Sequence, residues 1–320
     1  VFSSFLSASG ASNSRIKIEV LEDRVAEGSS AYICRGCVTF PGESPKRVVF
    51  KNFKQEDAES LALKEFANLM TLFVYSAPVP KPYTARIIPS QGWQIIMEDA
   101  GIALSEIDVA KGSVDFLLET SLQIIDGLKA FHKSRYCHGD ISLGNISIRQ
   151  ELQRNPDSRG YSPPLRLEAN SVRFIDLGYS SEVGVCAKGI CFTPRYAAPE
   201  RYGDKDGNYI VSEASDIFSL GALLYDLWFI RDRSSQLGLL EMIRGEEVKT
   251  IYKMMAYMMR DYSSYYFEED ASRKFLAKDH PLSDLLLSAV HPDQYERPTI
   301  SVFQEEFLKL ADVLRTVDRF

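Results

Sequence analysis

The stretch that decides the fold is CHGDISLGNISI, residues 137–148. Asp140 and Asn145 stand close together within it, at a spacing that suits a tight loop. An aspartate in such a loop can accept the proton of a substrate hydroxyl, and an asparagine can offer a neutral oxygen to Mg²⁺. The stretch therefore predicts a loop that handles both a proton and a metal ion.

A second carboxylate follows further along the chain, in FIDLG at residues 174–178. Asp176 comes directly after a short apolar strand, and the glycine that closes the motif allows a turn. This motif is weak when taken alone. It becomes informative because it follows the loop at residues 137–148 along the chain.

Toward the N-terminus, the strand VVFK ends in Lys51. A lysine on a buried strand needs a charge partner, because desolvation of an unpaired ammonium is costly. A helix is predicted over residues 55–72, and Glu65 lies among its leucines on the apolar side. Glu65 is therefore the candidate partner of Lys51, and a solvated glutamate on a helix surface is the alternative.

Together and in this order, the motifs resemble the protein kinase superfamily from about residue 16 to residue 320. The resemblance implies ATP and Mg²⁺ as cofactors. It implies that Lys51 holds the α- and β-phosphates and pairs with Glu65, and that Asp140 is the catalytic base. Asn145 and Asp176 would bind Mg²⁺. Further nucleotide contacts implied by the resemblance are Gly28, Ile33, Val49, the gatekeeper Met97, the backbone of Glu98 and Ala100, and Ser147.

The pattern HGDxxxxN also occurs in enzymes that resemble choline kinase and aminoglycoside phosphotransferases, which act on small molecules. Residues 192–200, FTPRYAAPE, resemble instead the substrate segment of eukaryotic protein kinases. By that resemblance Thr193 hydrogen-bonds toward Asp140 and shapes the site for a Ser/Thr hydroxyl. Glu200 would be buried and paired with Arg297.

A further match is the motif ASDIFSLGALLYDLW, which contains Asp216. The resemblance implies that Asp216 opens a long central helix and holds the catalytic loop. These C-terminal motifs favour a Ser/Thr protein kinase with a protein as its substrate or partner.

Several positions depart from the family pattern. The glycine-rich loop aligns on residues 26–31, AEGSSA, where only Gly28 survives and Glu27 brings a negative charge toward the triphosphate. Val49 and Ser147 alter the predicted adenine pocket. Ser142 stands where a lysine usually contacts the transferred phosphate.

Gly139 replaces the arginine that usually pairs with an activation-loop phosphate, so activity is not expected to depend on that phosphorylation.

Three functions remain open. The leading hypothesis is a divergent Ser/Thr protein kinase. The second is a pseudokinase that acts as a scaffold or allosteric partner, and the third is a small-molecule phosphotransferase.

The expected fold is α+β and bilobal. Strands are predicted within residues 16–54 and over residues 93–98, and a helix from residue 114 to 132. The predicted organisation is an N-terminal extension (1–15), a β-rich N-lobe with one main helix (16–98), and a larger, mostly helical C-lobe (99–320) with a surface insertion at 150–171.

Composition agrees with a globular protein: 45% of the residues are hydrophobic and 25% are charged. The net charge of −7 disfavours a broad nucleic-acid surface. The longest apolar stretch, 217–230, is too short for a membrane span. Because the chain begins at Val1 rather than Met, we expect an incomplete N-terminus. Residues 253–267, rich in Met and Tyr, are predicted to be a core-facing helix with an aromatic loop, or else a docking surface.

The five cysteines are few and odd in number, which favours a reducing compartment such as the cytoplasm over a disulfide scaffold. The pair Cys34 and Cys37 has no second CxxC, so a zinc site is not expected. Cys186 and Cys191 could form a disulfide if the protein is exported.

Overall fold

The computed structural model describes residues 16–28, 30–54, 58–88, 92–155, 160–188, 192–204, 207–229, 280–291 and 293–316. They form two compact units. The first contains the described residues up to Gly101 together with Arg173–Gly178, and the second contains Ile102–Val172 and the described residues from Tyr179 onward. The predicted α+β class is confirmed, because the first unit is a sheet with one long helix and the second is mostly helical.

The first unit is built on a five-stranded antiparallel sheet with the strand order β1-β2-β3-β5-β4. Its elements are β1 (Lys17–Glu27), β2 (Ala31–Thr39), β3 (Lys46–Phe53), helix α1 (Ala58–Val74), β4 (Pro82–Ile88) and β5 (Gly92–Glu98). The sequence pattern predicts all of these except β4. That strand begins at Pro82 and lies at the sheet edge, where a proline removes no ladder hydrogen bond.

The predicted nucleotide-binding residues and the apolar core residues lie on opposite faces of the sheet. Ile33 lies opposite Lys51, and Val49 lies opposite Met97. Since directly opposed residues point to the same face and side chains alternate along a strand, these four share one face. The other face carries a buried apolar cluster of Cys34, Val38, Val48, Phe50 and Ile96.

The second unit contains four long or moderately long helices among its described residues: α2 (Val114–Lys133), α3 (Glu213–Phe229), α4 (Ser283–Ala289) and α5 (Ile300–Thr316). Ser113 caps α2 by accepting a hydrogen bond from the amide of Phe116 at 3.1 Å. Helix α2 packs against α3 and α5. Fully buried side chains fill the interior, among them Phe116, Ile124, Leu128, Phe218, Phe303 and Phe307.

Short strands organise the loops of this unit. They are β6 (Ile102–Ala103), β7 (Tyr136–Cys137), β8 (Ile146–Ile148), β9 (Val172–Phe174, which spans the division between the units), β10 (Ser181–Glu182), β11 (Cys186–Lys188) and β12 (Asn208–Ile210). Strand β6 pairs with β8, β10 with β7, and β11 with β12. The pattern analysis expected a mostly helical region here, because segments of two or three residues carry no periodicity.

The predicted insertion at 150–171 is mostly irregular where the structure describes it, with isolated bridges from Tyr161 to Ile107 and Arg154.

Cys186 is an exposed free thiol, whereas Cys191 lies outside the described residues. The N-terminal extension and residues 253–267 also lie outside them. Among the described helices, none has the length and hydropathy that crossing a membrane requires.

Candidate active site

The first unit brings Lys51, Glu65 and Asp176 together. The ammonium of Lys51 donates to both carboxylate oxygens of Glu65, at 2.8 and 2.7 Å, and to Oδ1 of Asp176 at 2.8 Å. Strand β3 supplies the lysine and helix α1 supplies the glutamate. The alternative of a solvated Glu65 is wrong, because that residue is only 4% exposed.

Charge pairing controls the ionisation of this cluster. Burial by itself would lower the pKa of Lys51, but the carboxylates of Glu65 and Asp176 outweigh it and raise that pKa. Burial raises the pKa of Glu65, and the attraction of Lys51 offsets only part of this effect. Lys51 is therefore held as a cation with two carboxylates against it.

Asp176 is held in an unusual backbone conformation, with φ of +60°. The amide of Asn68 on α1 donates to the carbonyl of the next residue, Leu177, at 2.9 Å. The helix that carries Glu65 therefore also fixes the turn that carries Asp176. The side chain of Asp176 is 43% exposed, so its carboxylate remains accessible to a cation.

The predicted adenine-binding backbone follows β5 directly. Met97 is buried, and the amide of Glu98 donates to the carbonyl of Lys81 at 2.9 Å. Ala100 is only 7% exposed, and its amide donates to no other group in the described part of the chain. This N–H is therefore available to an acceptor atom of a ligand such as a purine base.

The second unit brings together Asp140, Asn145 and Thr193. The side-chain amide of Asn145 donates to Oδ2 of Asp140 at 2.7 Å and to its carbonyl at 2.8 Å. The backbone N–H of Thr193 donates to Oδ1 of Asp140 at 2.6 Å. The predicted contact between Thr193 and Asp140 therefore forms through the main chain rather than through the hydroxyl. The side-chain amide of Asn145 and the backbone N–H of Thr193 together fix the orientation of the Asp140 carboxylate.

Asp216, in the first turn of α3, supports the loop that carries Asp140. Its carboxylate accepts from the backbone amides of His138 and Gly139, at 2.8 and 3.0 Å, and contacts Nε2 of His132 at 3.3 Å. Although burial opposes ionisation, these hydrogen bonds and the nearby imidazoles lower the pKa of Asp216. Asp216 therefore holds the loop that carries Asp140, as the resemblance implied.

Cys137 lies near His132 and Asp216, and the three buried groups could geometrically surround a metal ion. Burial is the largest cause that raises the pKa of the Cys137 thiol, which therefore stays protonated. Both oxygens of Asp216 already accept hydrogen bonds. The cluster is thus explained by loop support rather than by metal binding.

Two ion pairs anchor the segment FTPRYAAPE to the helices. Arg297 forms a two-pronged pair with Glu200 at 2.6 and 2.9 Å, which confirms the predicted pair. The prediction that Glu200 is buried is wrong, because its side chain is 19% exposed. Arg195 forms a second such pair with the fully buried Asp226 of α3, at 2.6 and 2.7 Å. The hydroxyl of Tyr196 also donates to Asp226, at 2.8 Å. The pattern analysis missed this second anchor, because Asp226 appeared only as a polar interruption in an apolar stretch.

The departures from the family pattern have distinct outcomes. The carboxylate of Glu27 forms an ion pair with Lys54, so its charge is neutralised within the chain. Ser142 is buried, and Ser147 lies buried in β8. Neither serine provides a cation. The backbone amide of Gly28 donates a hydrogen bond to the carbonyl of Ala31 at 2.8 Å.

One further residue was missed entirely. Arg201 follows the segment FTPRYAAPE directly and is 3% exposed, with its guanidinium over the ring of Tyr209. No local pattern in the sequence marks it, since its neighbours in space come from separate loops.

Comparison with known proteins identifies the family. A family model described as "Protein kinase domain" matches residues 109–308, which is more than half of the chain. The chain therefore belongs to the protein kinase family.

Individual relatives are serine/threonine kinases. One from Zea mays, named as the probable serine/threonine-protein kinase CCRP1, is 25% identical over 60% of this chain and 25% of its own length. The serine/threonine-protein kinase polo of Drosophila melanogaster is 25% identical over 60% of this chain and 26% of its own length. Serine/threonine-protein kinase PLK1 of Xenopus laevis is 31% identical over 33% of this chain and 14% of its own length. The match thus spans about a quarter, or less, of the length of these relatives.

Proposed function

We propose that the protein transfers the γ-phosphoryl group of ATP, with Mg²⁺, to a Ser or Thr hydroxyl of a protein substrate. The observation that carries this proposal is the contact of Lys51 with both Glu65 and Asp176 in the first unit. A kinase needs this lysine–glutamate pair and this aspartate for nucleotide binding. The family and the names of the relatives support the same reading.

The residues of the second unit provide the proton chemistry. Asp140 accepts the proton of the substrate hydroxyl as that oxygen attacks the phosphoryl group. Asn145 and the amide of Thr193 each donate to one oxygen of Asp140, which fixes the orientation of the carboxylate.

Each unit also carries side chains of a kind that fits the cofactors. Asn145 offers an amide oxygen and Asp176 a carboxylate oxygen, and both are ligands of the kind that Mg²⁺ binds. When bound, Mg²⁺ neutralises charge on the phosphates. Lys51 supplies a cation for the phosphates, and the Ala100 amide supplies a donor for the base.

Phosphate transfer tests the proposal directly. The purified chain is incubated with radiolabelled ATP, Mg²⁺ and a mixture of generic protein substrates, and phosphoserine and phosphothreonine are measured. We expect transfer by the wild type, a loss of at least a hundredfold in Asp140→Asn, and a similar loss in Lys51→Met. Lys309→Met is the matched control, because Lys309 is an exposed lysine of α5. Equal residual transfer in the wild type and in Asp140→Asn would refute the proposal.

The second candidate is a pseudokinase that serves as a scaffold. It is favoured by the buried Ser142, which provides no cation for the transferred phosphate. The loss of one charge-assisted contact costs about 1.5–3 kcal/mol, which slows transfer but does not abolish it. Thermal unfolding with millimolar ATP and Mg²⁺ separates the candidates. A bound nucleotide at 100 times its Kd adds about 2.7 kcal/mol of stability, and a scaffold that does not bind nucleotide shows no shift.

The small-molecule phosphotransferase is the least supported reading. Its substrates need no segment such as FTPRYAAPE, yet this segment is anchored by Arg297 and by the buried Asp226. The structure therefore favours a protein substrate.

A further inference from the structure

A small cavity lies beside Asp140, and Gly139 forms part of its wall. Gly139 has φ of +81°, a conformation that favours glycine. A Cβ atom at this position would lie 2.6 Å from the carbonyl oxygen of Tyr179 and 3.4 Å from Nη1 of Arg201. The space that a side chain at residue 139 would enter is therefore filled by the backbone of Tyr179 and the guanidinium of Arg201.

Arg201 is a buried cation held by aromatic rings. Its guanidinium carbon lies 4.3 Å from the ring centroid of Tyr209 and 5.6 Å from that of Phe192. Among the described residues, neither Nε nor Nη2 of Arg201 has a hydrogen-bond acceptor. Asp140 and Asp216 line the same cavity and provide opposite charge nearby. Within the described part of the chain, stacking on these rings rather than a salt bridge therefore holds the guanidinium.

Phe192 lies in the stretch that leads to Thr193, and Tyr209 lies in the strand that pairs with an earlier part of the same stretch. We call the described residues 179–188 and 192–193 the activation segment. Phe192 precedes Thr193, whose amide donates to Asp140. Tyr209 lies in β12 and is paired with Ala187 of β11, in the middle of the segment.

We propose that Arg201 is a positioning residue that orders the activation segment against Asp140 without a phosphate group. The inference rests on the proposed function, because it takes Asp140 as the base. An arginine at residue 139 would need a phosphorylated side chain to hold the segment in this way. Here the cation comes from residue 201, and its partners are unmodified tyrosine and phenylalanine rings.

Hydrogen exchange tests the inference without relying on activity. The amide of Gly184 donates to the carbonyl of Val211 at 2.8 Å, and the amide of Val211 donates to Val185 at 2.9 Å. We expect exchange of these two amides to rise at least tenfold in Arg201→Ala and in Arg201→Met, which removes the charge but keeps most of the length. Arg201→Lys keeps a cation and should restore most of the protection. Arg315→Met, an exposed arginine of α5, is the matched control.

Kinetics and phosphatase treatment complete the test. In Arg201→Met we expect kcat to fall at least tenfold while KM for ATP stays unchanged, because the first unit is intact. Phosphatase treatment should leave exchange in the wild type unchanged. The inference is overturned if Arg201→Met is as well protected as the wild type, or if phosphatase alone frees the segment. If the wild type transfers no phosphate, the proposed function fails, whereas the exchange result still decides the role of Arg201.

Discussion

The contact between Thr193 and Asp140 allows a main-chain and a side-chain explanation to be separated experimentally. The amide of Thr193 donates to Oδ1 of Asp140 at 2.6 Å, whereas its hydroxyl makes no hydrogen bond within the described part of the chain. Thr193 has φ of −79° and ψ of 108°, which a proline can adopt. Thr193→Pro removes the N–H and the hydroxyl and sets its ring carbon Cδ toward Oδ1 of Asp140, whereas Thr193→Ala removes the hydroxyl and the γ-methyl group but keeps the N–H.

The expected magnitude follows from the chemistry of this hydrogen bond. A hydrogen bond to a charged acceptor contributes about 1.5–3 kcal/mol. At about 1.36 kcal/mol per tenfold in rate, its loss lowers kcat between roughly tenfold and 150-fold. We expect that loss in Thr193→Pro with KM for ATP unchanged, and a change within about threefold in Thr193→Ala, where the amide contact persists.

The assay is steady-state phosphate transfer, with the unfolding midpoint of each variant as the control for folding. The carbonyl of Thr193 still accepts from the amide of Tyr196 in both variants, at 3.0 Å in the wild type, so the following turn should persist. If Thr193→Ala loses as much activity as Thr193→Pro, the hydroxyl is what matters and the main-chain explanation is refuted.

Three further predictions concern stability. Arg297→Ala should lower the free energy of unfolding by about 3–5 kcal/mol in urea titrations, because it leaves the carboxylate of Glu200 without a cation and with the Ser215 hydroxyl as its remaining donor; a loss below about 1 kcal/mol would contradict this. Burial lowers the pKa of His280 from 6.5 to about 4, so its ring stays neutral in the folded state while the unfolded ring gains a proton. The folded pKa is depressed, so the contribution of His280 to stability is present above pH 6.5 and is lost as pH falls toward 4. His280→Phe should flatten this decline in urea titrations at pH 7 and pH 5, and an unchanged slope would speak against it. Gly139→Ala should cost at least about 1 kcal/mol, because a left-handed φ disfavours a Cβ and the Tyr179 carbonyl blocks it; an unchanged melting temperature would show that the loop moves freely.

The charged residues of the site could be predicted because their surroundings in the sequence are apolar. Lys51 in a hydrophobic strand and Glu65 on the leucine face of a helix each indicate a buried partner, and the structure pairs them at 2.7 Å. The pair of Glu200 and Arg297 was instead implied by the resemblance to protein kinases. A buried charge is costly when alone, so its presence in an apolar context implies a partner.

Contacts through the main chain and between distant loops could not be predicted in this way. The residue type of Thr193 does not reveal that its amide, rather than its hydroxyl, reaches Asp140. Arg201 gives no signal because its contacts depend on how separate loops pack. The charge of Glu27 was expected to oppose a triphosphate, yet Lys54 neutralises it. Glu27 ends β1 and Lys54 follows β3, with β2 between them in the sheet, so their pairing depends on register that motif matching does not fix.

The charge of the cluster in the first unit bears on the choice between enzyme and scaffold. Lys51 contributes one positive charge, whereas Glu65 and Asp176 contribute two negative charges, so the cluster carries an excess of one negative charge. Replacing a buried ion pair by apolar side chains is often neutral or stabilising, so a scaffold gains little stability from this arrangement. A bound divalent cation would compensate the excess charge at Asp176, whose side chain is 43% exposed. We therefore expect Mg²⁺ with ATP to raise the melting temperature of the wild type and to raise it less in Asp176→Asn. An equal shift in both proteins would show that the charge of this carboxylate does not contribute to binding.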